Sequence, residues 1–149
     1  MPEIIIREAT LGDAQVIAQL SSELGYPTST EEIRCRFDQM VKSSQNAVFV
    51  AVASDDTVIG WIHVFETVRL SSEPFAEIGG IVVSENYRHR GIGTSLLTYT
   101  EKWAVQKGLT KLRIRSRTSR TEAHSFFVNY GFQLSKSQEV FDKTFNIST

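Results

Sequence analysis

The chain has 149 residues, of which 41% are hydrophobic and 22% charged, and its net charge is −1. This length and balance predict one globular domain over residues 1–149 and exclude disorder, collagen-like repeats and coiled coils. No apolar run reaches the roughly 18 residues of a membrane span, the start lacks a basic signal-like segment, and the single Cys35 excludes thiolate-rich metal sites, so we expect a cytoplasmic protein without a metal.

The N-terminal part predicts a strand followed by two helices. The apolar residues 4–6 indicate a short buried strand. Residues 10–13 (Thr-Leu-Gly-Asp) and 29–32 (Ser-Thr-Glu-Glu) both fit a capping box, so each should begin a helix. The second helix has apolar residues at helical spacing, namely Ile33, Phe37, Met40 and Val41.

Three strands are predicted next, and together they form an antiparallel meander. Residues 47–53 and 58–68 are rich in β-formers and are joined by a polar Ser-Asp-Asp-Thr turn. The third strand covers residues 75–83 and is interrupted by Gly79 and Gly80. Glycine inside a strand commonly marks a bulge or a close backbone approach.

The C-terminal half alternates helices and strands. A helix is predicted over residues 91–107, a strand with a basic face over 111–117, a short helix ending at Gly131, and a last strand over 140–145. A strand–helix–strand unit forces a parallel crossover. The fold class is therefore α/β (α+β) with a mixed sheet.

The strand that ends at Val83 runs into a glycine-bearing helix start, and this is the most specific segment of the chain. Gly91 and Gly93 allow close backbone approach, and free N–H groups at a helix N-terminus bind anions. Two basic side chains, Arg88 and Arg90, add positive charge, so the segment suits a pyrophosphate. A dinucleotide fingerprint would need glycine at Leu96, and a P-loop would need a lysine before its Ser or Thr.

Arg-x-x-Gly-x-Gly after a strand resembles the coenzyme A signature of the GNAT superfamily of N-acetyltransferases. The segment Gly-Trp-Ile-x-Val at residues 60–64 and Ala-x-x-Phe-Phe-x-x-x-Gly-Phe at residues 123–132 are similar to that family too. The resemblance implies a mixed, mostly antiparallel sheet of six to seven strands flanked by about four helices. A splayed parallel strand pair in that sheet would form the acetyl-CoA cleft.

The resemblance implies a cofactor site in three parts. The acyl-pantetheine arm would pair with the backbone of the strand before the motif, and the pyrophosphate would lie on the loop and helix start. The implied residues are Ile81, Val82, Val83, Arg88, His89, Arg90, Gly91, Ile92, Gly93, Thr94, Arg120 and Phe127. Arg120 stands where the family often has asparagine, and Phe127 stands where it usually has the tyrosine that protonates the departing thiolate.

Glu77 is the implied general base, because it lies at the strand position where several family members place one. His63 and Glu66 on the neighbouring strand are reserve candidates. Tyr130 is the nearest substitute for the missing tyrosine, although its place in an aromatic stripe favours a packing role.

The acceptor is expected to be a small, cationic amine. Twelve of the seventeen acidic residues lie in residues 1–77, whereas residues 78–149 hold eleven of the sixteen basic ones. The alternative is a non-catalytic acyl-CoA-binding module that senses its ligand. Nucleic acid and membrane partners are not expected, because the basic strand lacks interleaved aromatics for base stacking. A homodimer fits the resemblance, since many small relatives pair.

Overall fold

The computed structural model describes residues 3–23, 25 and 27–146, and it divides into two compact units, Met1–Arg115 and Ser116–Thr149. In chain order the first unit contains β1 (Ile5–Glu8), α1 (Ala14–Glu23), α2 (Thr30–Met40), β2 (Asn46–Val52), β3 (Val58–Arg69), β4 (Ser72–Val83), α3 (Ile92–Gln106) and β5 (Leu112–Ile114). The second unit contains α4 (Thr121–Tyr130). Four α-helices are thus present in the described residues.

The first unit is built on a mixed sheet in the order β1-β2-β3-β4-β5. The first four strands pair antiparallel, and β5 pairs parallel with β4 after the crossover through α3. This confirms the predicted mixed sheet. The described residues hold five strands, so the expectation of six to seven is corrected.

Helices cover both faces of this sheet. On one face, α1 contributes Ile17 and Leu20 to a core cluster with Val50 and Val82 of the sheet, and Trp61 packs against it. On the other face, α3 places Tyr99 edge-on against Phe49, with ring centroids 4.8 Å apart. We call these the α1 face and the α3 face.

Both N-terminal capping boxes are present, and they explain where the first two helices begin. Asp13 accepts a hydrogen bond from the backbone N–H of Thr10 (2.7 Å) at the 3-10 turn that leads into α1. Ser29 and Glu32 bond reciprocally, each side chain to the other's backbone N–H, at 3.1 Å. The predicted burial of the first strand is wrong, because β1 is an edge strand and Ile5 is 59% exposed.

Two C-terminal strand predictions need correction. The basic strand predicted over residues 111–117 pairs only over Leu112–Ile114. Residues 140–145 form no strand, and Val140, Phe141 and Phe145 are 71–86% exposed. A β-pattern becomes a strand only when a neighbouring backbone completes its hydrogen bonds, and none of the described strands does so here.

Candidate functional site

A β-bulge interrupts β4 at Gly79. Gly80 lies opposite His63 and Ile78 lies opposite Val64, so the register with β3 passes over Gly79. The extra residue confirms the irregularity that the glycine pair predicted. Bulges commonly redirect side chains next to functional sites.

The bulge determines the face on which Glu77 lies. Side chains alternate along a strand, so residues 77 and 82 of a regular strand would lie on opposite faces. With one extra residue between them, Glu77 comes opposite Phe65 and shares the α1 face with Val82. Glu66 lies opposite Ala76 and therefore on the α3 face. The bulge thus separates the two candidate glutamates.

The two glycines of β4 let aromatic rings lie directly on the strand. A Cβ atom added to Gly79 would be 2.5 Å from Nδ1 of His63, and one added to Gly80 would be 2.8 Å from Cη2 of Trp61. Both distances are far inside van der Waals contact. The sequence pattern showed the glycines, but only the structure shows which side chains occupy the space.

Beyond the bulge, β4 continues without β5 as a partner. Their parallel pairing covers Ala76–Ile78 against Leu112–Ile114 and ends there. The following residues of β4, Ile81, Val82 and Val83, pair with β3 on one side. Their other edge has no paired strand among the described residues. We call the point where this pairing ends the fork; beyond it, backbone N–H and C=O groups of β4 are able to bind an extended ligand.

The loop between β4 and α3 contains two left-handed residues. Gly91, at the N-cap of α3, has φ +78°, and His89 has φ +63°. Left-handed backbone is rare for a residue with a side chain, and it costs about 1–2 kcal/mol relative to the right-handed region. The glycine was predictable from the motif, whereas nothing in the pattern signals the conformation of His89.

The N-terminus of α3 offers unpaired donors. The first helical hydrogen bond runs from the N–H of Ser95 to the carbonyl of Gly91 (3.0 Å). The N–H groups of Ile92, Gly93 and Thr94 therefore have no partner within the helix. Free helix donors of this kind, together with the helix dipole, are able to bind an anion.

The predicted loop side chains take different roles. Arg88, His89 and Arg90 are exposed, and the Arg90 guanidinium lies 5.2 Å from the ring centroid of Tyr87. Ile92 is only 2% exposed and is part of the core. This loop would therefore contact a ligand through its backbone and its arginines, and the side chain of Ile92 packs inward.

Glu77 is held by two hydrogen-bond donors on the α1 face. Its Oε2 accepts from Nε of Arg115 at 2.9 Å, and its Oε1 accepts from the Thr67 hydroxyl at 3.3 Å. The side chain is 12% exposed. These contacts orient the carboxylate within the paired part of β4, next to the fork.

His63 lies on the same face, two residues along β3 from Phe65. Its Nε2 is 2.9 Å from Oδ1 of Asn46, and its ring centroid is 5.3 Å from that of Phe65. Burial lowers the pKa of His63 below its usual value, and the ring is therefore neutral at pH 7.

A basic cluster borders Glu77, and the residue pattern alone did not predict it. The charged groups of Arg69, Lys111 and Arg113 lie 5.4, 4.8 and 4.4 Å from the ring centroid of Phe75, which is fully buried beneath them. The alternating basic residues of β5 were its visible signal.

The remaining predicted residues lie in the second unit. Arg120 occupies the N-cap position of α4. Phe127 is 5.6 Å from Phe126 and 5.8 Å from Phe132, and Tyr130 is 5.7 Å from Phe132 between ring centroids. Tyr130 is thus part of an aromatic cluster, as its stripe position predicted, whereas Glu77 belongs to the first unit.

The described part of the chain contains no group of three or more His, Cys, Asp or Glu side chains arranged to hold a metal ion. It also contains no helix with the length and apolar character of a membrane span.

The sequence profile of the acetyltransferase (GNAT) family matches residues 14–132. The chain is 29% identical over 136 residues to an aminoglycoside N(6')-acetyltransferase type 1 of Stenotrophomonas maltophilia, covering 86% of this chain and 85% of that protein. It is 26% identical over 116 residues to a streptothricin acetyltransferase of Escherichia coli, covering 76% of this chain and 64% of that protein.

Among solved structures, the aminoglycoside N-acetyltransferase AAC(6')-Iy in complex with CoA superposes with a TM-score of 0.86 at 18% identity, over 96% of both chains. That likeness concerns the fold. The family match covers most of the chain, and the chain therefore belongs to the acetyltransferase (GNAT) family.

Proposed function

We propose that residues 1–149 form a single acetyl-CoA-dependent N-acetyltransferase domain that acts on a primary amine of a small acceptor. The observation that carries the proposal is the combination of the fork with the left-handed loop at the start of α3. The fork offers unpaired backbone groups of β4, and the loop leads to unpaired N–H groups at the start of α3. These two features suit a ligand that joins an amide-containing arm to a pyrophosphate.

Acetyl-CoA supplies the activated acyl group. Its pyrophosphate would lie on the amides of residues 88–94, with Arg88 and Arg90 supplying positive charge. Its amide-containing arm would pair with Ile81, Val82 and Val83. Arg120 and Phe127 are proposed as further cofactor contacts, on the family resemblance alone.

The residues of this chain would then carry out the proton transfers. An ammonium has no lone pair, so the acceptor must lose a proton before it attacks the thioester carbonyl. Glu77 would accept that proton, directly or through water, with Arg115 and Thr67 holding its carboxylate in place. Tyr130 is the proposed candidate for returning a proton to the thiolate, a small task because thiols have a pKa of about 8.5.

The test is thiol release from acetyl-CoA in the presence of an amine panel containing polyamines, aminoglycosides, amino acids and N-terminal peptides. Turnover with at least one amine is expected. Tight acetyl-CoA binding without turnover would support the non-catalytic sensing module instead. Failure to bind acetyl-CoA in calorimetry would contradict both.

We also propose that the preferred acceptor is cationic. The acidic excess of residues 1–77 and the similarity to an aminoglycoside acetyltransferase support this, because aminoglycosides carry several amines. Attraction by acidic groups would make kcat/KM for such an acceptor fall as salt rises, since the screening length shortens to about 8 Å at 0.15 M. A rise with salt would mean that Arg69, Lys111 and Arg113 dominate, and it would contradict a cationic acceptor.

A further inference from the structure

His63 lies at the fork itself. The parallel pairing of β4 with β5 ends at Ile78, and Gly79 is the next residue of β4. The space that a Cβ atom of Gly79 would occupy is filled by His63, whose Nδ1 would be 2.5 Å from that atom. A ring nitrogen therefore lies against the β4 residue that follows the end of the β4–β5 pairing.

Asn46 contacts one of the two ring nitrogens of His63. Nε2 of His63 is 2.9 Å from Oδ1 of Asn46, and a carbonyl oxygen can only accept a hydrogen bond. The contact with Oδ1 is a hydrogen bond only in the tautomer that carries its proton on Nε2, and in that tautomer Nδ1 keeps a lone pair.

No described residue donates a hydrogen bond to Nδ1 of His63. Within the described residues, Nε1 of Trp61 is the fully buried side-chain nitrogen or oxygen that lacks a hydrogen-bond partner. Nδ1 also lacks a partner and is not fully buried. An unpaired nitrogen at the fork can accept a proton.

Polar and charged groups of several strands share the α1 face with His63. Across the sheet, β2 presents Asn46, β4 presents its two glycines, and the charged groups further along the face are Glu77, Arg113 and Arg115. The helices on this face contribute the apolar residues Ile17, Leu20 and Ile33. Burial lowers the pKa of His63.

We propose that His63 is a second proton acceptor, which removes a proton from the acceptor nitrogen at Nδ1 while Asn46 holds the ring in the required tautomer. The proposal rests on the proposed N-acetyltransferase function. Conversion of an ammonium and a thioester to an amide and a thiol forms one C–N bond and breaks one C–S bond. Two protons leave the nitrogen; one ends on the thiol sulfur and the other is released to solvent.

Glu77 accepts the first of these protons, and His63 accepts the second. Once the nitrogen has attacked, it is positively charged and far more acidic than the free ammonium, so a neutral imidazole with a modest pKa suffices. Arg115 and Thr67 hold Glu77 within the paired part of β4, before the fork. His63 is the group at the fork.

The kinetic test uses His63→Asn and Asn46→Asp in the full chain. Asparagine at position 63 keeps a polar group near the Nδ1 position but is not basic, so kcat should fall at least tenfold while acetyl-CoA affinity in calorimetry stays within about twofold. The wild-type kcat should decline as pH falls through the pKa of His63, below the ordinary 6.5.

Asn46→Asp places a carboxylate against Nε2, which raises the pKa of His63, so the acidic limb of the kcat profile should move to higher pH. Gln39→Glu makes the same amide-to-acid change on the exposed surface of α2 and should leave the limb in place. An unshifted limb in Asn46→Asp, or full kcat in His63→Asn, would overturn the proposal.

Nitrogen-15 NMR of the protein without ligands supplies a readout that does not depend on turnover. The expected spectrum shows a protonated Nε2 and an unprotonated Nδ1 for His63, with a raised pKa in Asn46→Asp. A proton on Nδ1 near pH 7 would overturn this proposal and leave the acetyltransferase function standing. Absence of turnover with every amine, despite the expected tautomer, would overturn the function and this proposal with it.

Discussion

The two sides of the fork present different kinds of chemical groups. On the proposed cofactor side, the binding groups are backbone amides of β4 and of the α3 N-terminus, held by left-handed residues. On the proposed acceptor side, the groups are side chains on the α1 face, principally Glu77 and His63 with the partners that orient them. The first side depends on backbone conformation, and the second depends on the chemistry of individual side chains.

This difference teaches which changes each side tolerates. A backbone site accepts many side chains but fails when a residue cannot adopt the required dihedral angles. A side-chain site keeps its shape under a conservative substitution but loses its chemistry. Substitutions on the two sides should therefore separate affinity for acetyl-CoA from kcat.

The largest effect is expected for Glu77→Gln, which keeps the size of the side chain and removes its basicity. Because a positioned general base contributes roughly 10²–10⁴-fold, kcat should fall about a hundredfold or more while acetyl-CoA affinity is unchanged. Glu66→Gln is the matched control, since Glu66 lies on the α3 face and should leave kcat within about twofold. Equal losses in the two variants would contradict the role of Glu77.

On the backbone side, Gly91→Val should weaken acetyl-CoA binding at least tenfold, as measured by calorimetry. Valine at φ +78° is strained, and its side chain would also obstruct the close approach of a phosphate. Gly108→Val is the matched control, because Gly108 has the same φ of +78° and open space at the far end of α3. If both variants lose affinity equally, general destabilisation is the cause and the loop assignment is wrong.

A smaller effect is expected for Tyr130→Phe, with kcat reduced less than about tenfold. Phenylalanine preserves the ring packing against Phe132, and a thiolate departs with little help from an acid. Steady-state kinetics with a saturating acceptor would measure this. A loss comparable to that of Glu77→Gln would identify the Tyr130 hydroxyl as a required acid.

The smallest effect concerns the strained loop residue. His89→Gly should be more stable than His89→Ala by about 1 kcal/mol in denaturant unfolding, because glycine adopts positive φ without the steric cost of a Cβ atom. Both variants should bind acetyl-CoA within about threefold of each other, since the backbone makes the site. A large affinity difference between them would show that the loop has to be rigid.

Several helix starts and the backbone features of the proposed cofactor side were predictable because their signals are local. A capping box, a glycine at a helix start and a glycine pair in a strand each specify backbone geometry within a few residues. The helix of Thr30–Met40, the bulge at Gly79 and the N-cap at Gly91 all followed from such patterns. The terminal strand over residues 140–145 did not follow, because an apolar pattern cannot show whether a neighbouring strand will pair with it.

The sequence by itself determined the mixed sheet and the glycine at the start of α3, because local conformation and hydrophobic periodicity produce them, and its motifs indicated the family by resemblance. Only the tertiary structure decided the arrangement on the proposed acceptor side. The bulge moves Glu77 to the α1 face, Arg115 reaches it from 38 residues away, and Asn46 reaches His63 from 17 residues away. These pairs form through sheet register, and register is set by the packing of the whole sheet, so no local pattern along the chain contains it.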